Sequence, residues 1–192
     1  MAATESRMLK LGTKAPDFKL QDANGKWHSL SDATGSDAVL VMFICNHCPF
    51  VKHVRRELSK IGKEYASQNV AVFAINSNDP VTHPGDDAAG MKKEIAEWGY
   101  TFPYLIDGDQ SVAKAFDAAC TPDFYVFDRK LKLAYRGQLD GSRPSNTIPV
   151  NGSDLRAALD AIIAGKRVSE RQQPSIGCNI KWKPGNEPDW YK

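Results

Sequence analysis

The chain has 192 residues, a formal net charge of +2, 42% hydrophobic and 25% charged residues. This is the composition of an ordinary globular protein, long enough to bury one good core. So small a net charge excludes partners captured mainly by a strong field, nucleic acid and anionic membrane among them.

Met1 to Lys10 carries Thr4, Glu5, Ser6 and Arg7 without an apolar core, so it does not read as a secretory signal. No run reaches membrane-spanning length. A cytoplasmic location is expected, where the four cysteines are reactive or incidental rather than structural staples.

Residues 16–30 predict a β-hairpin, with Phe18 and Leu20 before the turn Asn24-Gly25 and Trp27 and Leu30 after it. His28 is expected to be exposed there. Polar residues from Ser31 to Asp37 lead into Ala38-Val39-Leu40-Val41-Met42-Phe43-Ile44, an unbroken apolar run that fits a strand buried on both faces. Cys45-Asn46-His47-Cys48-Pro49 follows. Beyond it Phe50, Val54, Leu58, Ile61 and Tyr65 recur at helical spacing, with Lys52, Arg55, Arg56, Lys60 and Lys63 between them. Val70 to Ile75 is a second buried strand, which makes a β-α-β unit with parallel strands.

Asn76 to Gly90 is a loop that either walls the site or is merely solvated, with His83 read as a surface residue. Met91, Ile95 and Trp98 mark a helix, Tyr104 to Ile106 a short strand, and Val112 and Phe116 a short helix. Phe124–Phe127 and Leu131–Tyr135 form an antiparallel pair. Ser153 or Asp154 can cap a last helix through Leu155, Leu159 and Ile162 to Gly165. The division is a domain over residues 1–165 and an extension over 166–192. That extension holds Ile176, Cys178, Ile180, Trp182 and Trp190, too many apolar groups for a disordered end, so it should dock. No internal repeat and no second domain are visible.

Cys45 and Cys48 sit where a buried strand hands over to a helix. Orphan N–H groups and the helix dipole there favour thiolate over thiol, and the chemistry this points to is thiol–disulfide exchange. Asn46 is a good N-cap residue, whereas Pro49 at the first helical position would make Cys48 the cap. His47 either adds positive charge beside a thiolate or fills a solvent-facing position. Structural zinc would want a second close cysteine pair, and Cys120 and Cys178 are single. No metal or other cofactor is expected.

The order hairpin, β-α-β, helix, antiparallel pair, final helix resembles the thioredoxin fold, an α/β architecture with a central mixed sheet flanked by helices. In that fold a cis-proline precedes the fourth strand and faces the redox cysteines. Cys120-Thr121-Pro122-Asp123 matches that position, which implies a cis Thr121–Pro122 bond. Leu11-Gly12-Thr13-Lys14-Ala15-Pro16-Asp17-Phe18 resembles the start of the peroxiredoxin and alkyl hydroperoxide reductase superfamily. Asp140-Gly141-Ser142-Arg143-Pro144, residues 154–160 and residues 175–183 resemble its peroxiredoxin-like branch with a Cys-x-x-Cys motif.

The resemblance implies an antioxidant thiol–disulfide oxidoreductase, with Cys45 attacking a protein or small-molecule disulfide, Cys48 resolving it and a thiol reductant resetting the pair. It also implies an alternative, a thiol peroxidase with Cys48 attacking peroxide. Here Val41 and Cys45 stand where peroxiredoxins carry the proline and threonine of the peroxide pocket. A second alternative is a copper-binding or redox-sensing module, although the cysteine spacing is one residue short for copper delivery and His53 need not face the pair.

The topology brings the loop from Leu139 to Gly152 beside the cysteines. Arg143 there either holds an anionic group or is tied to Asp140. Cys120 is read as a buried apolar thiol near the site. Cys178 is expected in a short docked strand, inert if it faces the core and a third thiol if it faces the site. Trp182 and Trp190 are read as anchors of the extension, not as a platform for nucleic-acid bases. The oligomeric state is left open.

Overall fold

Alternate side chains of a strand leave opposite faces of its sheet. In the computed structural model, which describes residues 3–191, the strand Ala38–Phe43 (β4) is buried along its whole length for that reason. Leu40 and Met42 enter a cluster with Val54, Leu58 and Leu159. Val39, Val41 and Phe43 enter a second cluster, with Phe73, Phe116 and Phe127.

Around β4 runs a seven-stranded sheet. Its order is Trp27–Ser29 (β3), Lys19–Asp22 (β2), Tyr104–Ile106 (β6), Val70–Asn76 (β5), β4, Asp123–Asp128 (β8) and Leu133–Gly137 (β9). The β4–β5 and β5–β6 pairs are parallel and the others antiparallel. Helices Pro49–Ala66 (α1), Ala88–Trp98 (α2) and Ser153–Ile163 (α4) cover one face, and Ser111–Ala115 (α3) packs on the other. This is the mixed, helix-flanked sheet that the thioredoxin resemblance implies.

A second sheet has three strands. Ile176–Asn179 (β10) lies between Ala3–Glu5 (β1) and Cys120–Thr121 (β7), antiparallel to both. The C-terminal segment thus packs on the domain by main-chain pairing. Ile180 and Trp182 follow it into the second cluster, where Trp190 meets Trp182 edge-on at 6.1 Å. The Arg7 guanidinium lies 4.7 Å from the Trp190 ring centre. β1 has no periodic signature of its own, and only its pairing with β10 makes it a strand. No helix among the described residues is long and apolar enough to cross a membrane.

Several local expectations are corrected. Of the two candidate caps of α1 left open, Cys48, extended at φ −64° and ψ 124°, is the one used. Pro49 decides this, since its missing N–H is costless in the first turn. Gly152, at φ +66°, caps α4 in place of Ser153 or Asp154. Leu131 belongs to the turn, with φ +55°, so β9 opens at Leu133. His28 is not exposed: its side chain is 11% accessible and lies 3.3 Å from Asp22 Oδ2. Trp27, by contrast, is 57% exposed.

Candidate active site

The handover from β4 to α1 places Cys45 and Cys48 under the residue pair Thr121–Pro122, whose peptide bond is cis. Cys45 Sγ and Thr121 Oγ1 share a hydrogen bond of 3.2 Å. Cys48 Sγ lies 3.2 Å from the Thr121 carbonyl oxygen. Both thiols are buried, at 1% and 0% exposure. One threonine therefore holds both sulfurs, through its side chain and its backbone.

The two sulfurs are shifted in opposite directions. A thiol hydrogen bond from Cys45 pulls the Cys48 pKa down to about 5, against the opposing effect of burial, with help from Cys178 and the Val51 N–H. The Thr121 carbonyl also opposes ionisation, because an acceptor favours the protonated thiol. Cys45 moves the other way: burial, then its hydrogen bond to Cys48, raises its pKa well above the usual thiol value. Of the two, Cys48 has the lowered pKa and stands at the cap of α1, where the dipole favours a thiolate. Cys45 is the attacking thiol that the thioredoxin resemblance implies, whereas the lowered pKa and the cap position favour Cys48.

The loop after β5 supplies what the sequence did not reveal. Asp86 is 4% exposed and accepts a hydrogen bond from His47 Nδ1 at 2.5 Å. It also accepts from the Asn46 N–H at 2.7 Å and Asn78 Nδ2 at 2.8 Å. Burial works to raise its pKa, but these donors hold it below the ordinary carboxylate value. His83, expected at the surface, is half-buried and stacks on His47 with ring centres 4.5 Å apart. Its pKa is lowered by burial and by His47. His47 is thereby held in place, and its Nε2 is buried with no hydrogen-bond partner among the described residues. The signal available in the sequence was three carboxylates, Asp79, Asp86 and Asp87, in a loop at the carboxyl end of a strand, with nothing to single out Asp86.

Other predicted residues fall as follows. Asn46 ties the loop down, donating to Gly85 O at 2.8 Å and accepting from Tyr104 OH at 3.0 Å. His53 bonds Ser142 Oγ at 2.7 Å, so it faces the loop over residues 139–152 and not the cysteines. Arg143 donates to the backbone carbonyls of Asp140 and Ser142, each at 2.7 Å. It is tied to its own loop, through the Asp140 carbonyl, and does not hold a thiolate. The loop does reach Pro122, where Phe50, His53, Pro122, Arg143, Pro144 and Ile176 line a crevice of about 10 Å³. That is room for about one water. Cys120 is fully buried, and burial raises its pKa well above the usual value.

Cys45, His47 and Asp86 bring one donor atom each within 4.8 Å of one another, a set that could in principle hold a metal ion. The Asp86 carboxylate, however, already satisfies three donors that a cation would have to displace. The same geometry orients an imidazole next to a thiol, and that use costs no existing bond.

Residues 11–136 match the model of the AhpC/TSA family. The thiol-disulfide oxidoreductase ResA of Geobacillus thermodenitrificans is 29% identical over 132 residues, which span 68% of this chain and 70% of that protein. The crystal structure of an uncharacterized conserved protein from Geobacillus kaustophilus superposes with a TM-score of 0.94 at 56% identity, covering 96% of this chain and 98% of that one. The peroxidoxin BcpB of Mycobacterium tuberculosis, with a TM-score of 0.59 at 22% identity over 81% of this chain and 97% of that one, shares the fold.

Proposed function

Since this chain belongs to the AhpC/TSA family, we propose that it is a thiol–disulfide oxidoreductase whose redox pair is Cys45 and Cys48. The observation that carries this is the convergence of both sulfurs on Thr121, at 3.2 Å each. Their opposite pKa shifts give each a role. The Cys48 thiolate attacks one sulfur of a substrate disulfide, that bond breaks, and the first substrate thiolate leaves. Cys45 then attacks the Cys48 sulfur of the mixed disulfide and expels the second substrate thiolate. Its proton passes to the neighbouring His47 ring, which Asp86 orients. The pair ends oxidised, the substrate reduced, and an external dithiol resets the site.

The crevice over Pro122 is too small to enclose a ligand, and both sulfurs are covered. This supports a disulfide presented by another protein surface, whose docking moves the covering side chains aside. A cytoplasmic site of action, kept reduced by a thiol reductant, suits such a pair.

A second reading, peroxide reduction by Cys48, is favoured by its lowered pKa. Against it, Val41 and Cys45 occupy the positions where the family pattern has its proline and threonine. Redox titration with mass mapping tests the first reading. A Cys45–Cys48 disulfide is expected with a potential of roughly −270 to −120 mV, the range of exchange proteins. If both thiols stay alkylatable after equilibration with oxidised glutathione, the proposal fails. Fast peroxide turnover that needs Cys48 and survives Cys45→Ser would transfer it to the second reading.

A further inference from the structure

β10 brings a third sulfur to the pair. In an antiparallel ladder directly opposed residues project from the same face. Cys178 is opposite Thr121, the residue that holds both Cys45 and Cys48, while Cys120 is opposite Asn179 and projects from the other face. Cys178 is 4% exposed and belongs to the same buried cluster as Cys45 and Cys48, from which Cys120 is absent. Its close approach depends on Gly177, where a Cβ would stand 1.9 Å from the Thr121 carbonyl oxygen. The carbonyl oxygen of Thr121, the residue opposite Cys178, lies 3.2 Å from the Cys48 sulfur. The inward-facing and site-facing alternatives for Cys178 are therefore one and the same.

We propose that Cys178 is a second resolving thiol for Cys48, so that the site closes a Cys48–Cys178 disulfide as an alternative to Cys45–Cys48. The inference rests on the reading of Cys45 and Cys48 as a redox pair and extends it to the C-terminal segment. When Cys48 carries a mixed disulfide, the Cys178 sulfur attacks Cys48. The bond to the substrate sulfur breaks, and the Cys178 proton passes to the departing thiolate. Over both steps one disulfide is reduced to two thiols and one protein disulfide forms. Burial, with the hydrogen bond to Cys48, holds the Cys178 pKa up at about 12. Like Cys45 it stays a thiol until the mixed disulfide forms, and it takes over where Cys45 is unavailable. In this form β10 is joined covalently to the start of α1, and Cys45 is left as a free thiol.

The test uses the full chain and oxidised glutathione. In Cys45→Ser, Cys48 is expected to lose its glutathione about tenfold faster or more than in Cys45→Ser/Cys178→Ser, since a thiol held in place acts at millimolar effective concentration or above. Peptide mapping of the single variant should then find Cys48 joined to Cys178. Equal glutathione retention in both variants, or no Cys48–Cys178 peptide in the single one, overturns the inference. Wild-type protein partly oxidised in parallel covers a folding defect in the variants, because it should contain the Cys48–Cys178 peptide as a minor species. A wild type that forms Cys45–Cys48 but never Cys48–Cys178 refutes only the third thiol. One that forms neither refutes the redox pair itself.

Discussion

The lowered pKa of Cys48 is set chiefly by the Cys45 thiol, with smaller contributions from Cys178 and Val51. Each hydrogen bond to an ionised group is worth about 1.5–3 kcal/mol, and one pKa unit corresponds to about 1.4 kcal/mol. Cys45→Ala should therefore shift the midpoint of Cys48 alkylation upward by about one to two pH units, while Cys45→Ser, which keeps a donor, shifts it less. Rates of iodoacetamide labelling against pH, read by mass mapping, check this, and coincident profiles would remove Cys45 as the source of the charge. Asp123, fully buried beside Pro122, is the opposite case. Burial raises its pKa to about 7, although Tyr125 OH donates to it at 2.8 Å and Ser6 Oγ at 3.1 Å. The folded state then holds a proton that the unfolded chain releases near the ordinary value of 3.8. Stability from this group is present below that value and is lost as pH rises through about 7. Urea midpoints measured from acidic to neutral pH should fall for the wild type and flatten for Asp123→Asn. An unchanged slope in the variant would mean that another group is responsible.

Among elements, β10 has the least room. A Cβ on Gly177 would meet not only the Thr121 oxygen but also its carbonyl carbon at 2.5 Å and Pro122 N at 3.1 Å. These are backbone atoms, so no side chain can give way. Further back along the same segment a Cβ on Gly137, at φ +135°, would stand 2.0 Å from Gln173 O. Gly177→Ala should lift β10 from β7 and cost about 1–3 kcal/mol, as overpacking does. A urea melt measures the cost, and slower Cys48–Cys178 closure in a Cys45→Ser background would report the displaced strand. Unchanged stability and closure would show that β10 does not need this approach.

For the molecule as a whole, the C-terminal segment joins the two ends of the chain to the site. The Ser6 N–H donates to Ser175 O at 2.8 Å, and Gln138 N–H to Gln173 O at 3.0 Å. Asp79 N–H donates to Lys181 O at 2.8 Å, which reaches the loop that carries Asp86. Arg7 pairs with Asp117 at 2.8 Å beside the Trp190 stack. A segment held at so many points should resist cleavage until the domain opens. Limited proteolysis of the native protein is expected to leave residues beyond Lys166 attached to the domain, in reduced and oxidised forms alike. Rapid release of that segment would contradict the docked arrangement.

Features that lie in local order were legible in the sequence. A seven-residue apolar run, a change of period after Pro49 and a proline two residues after Cys120 located the central strand, the long helix and both sides of the proposed redox pair. Each signal spans a few residues, and local backbone preference with one-sided burial is enough to decide it. Tertiary structure alone decided which side chains meet. Asp86 reaches His47 across 39 residues of sequence, because β5 ends beside β4 and returns its loop over the cysteines. Cys178 enters the same cluster as Cys45 and Cys48 because the β10–β7 register places it opposite Thr121 and not opposite Cys120. A shift of one residue would have turned it to the other face. The lowered pKa of Cys48 follows from the same cause. The contributions to it come from Cys45 and Val51 nearby and from Cys178 far along the chain, and the order of residues does not encode how close folding brings them.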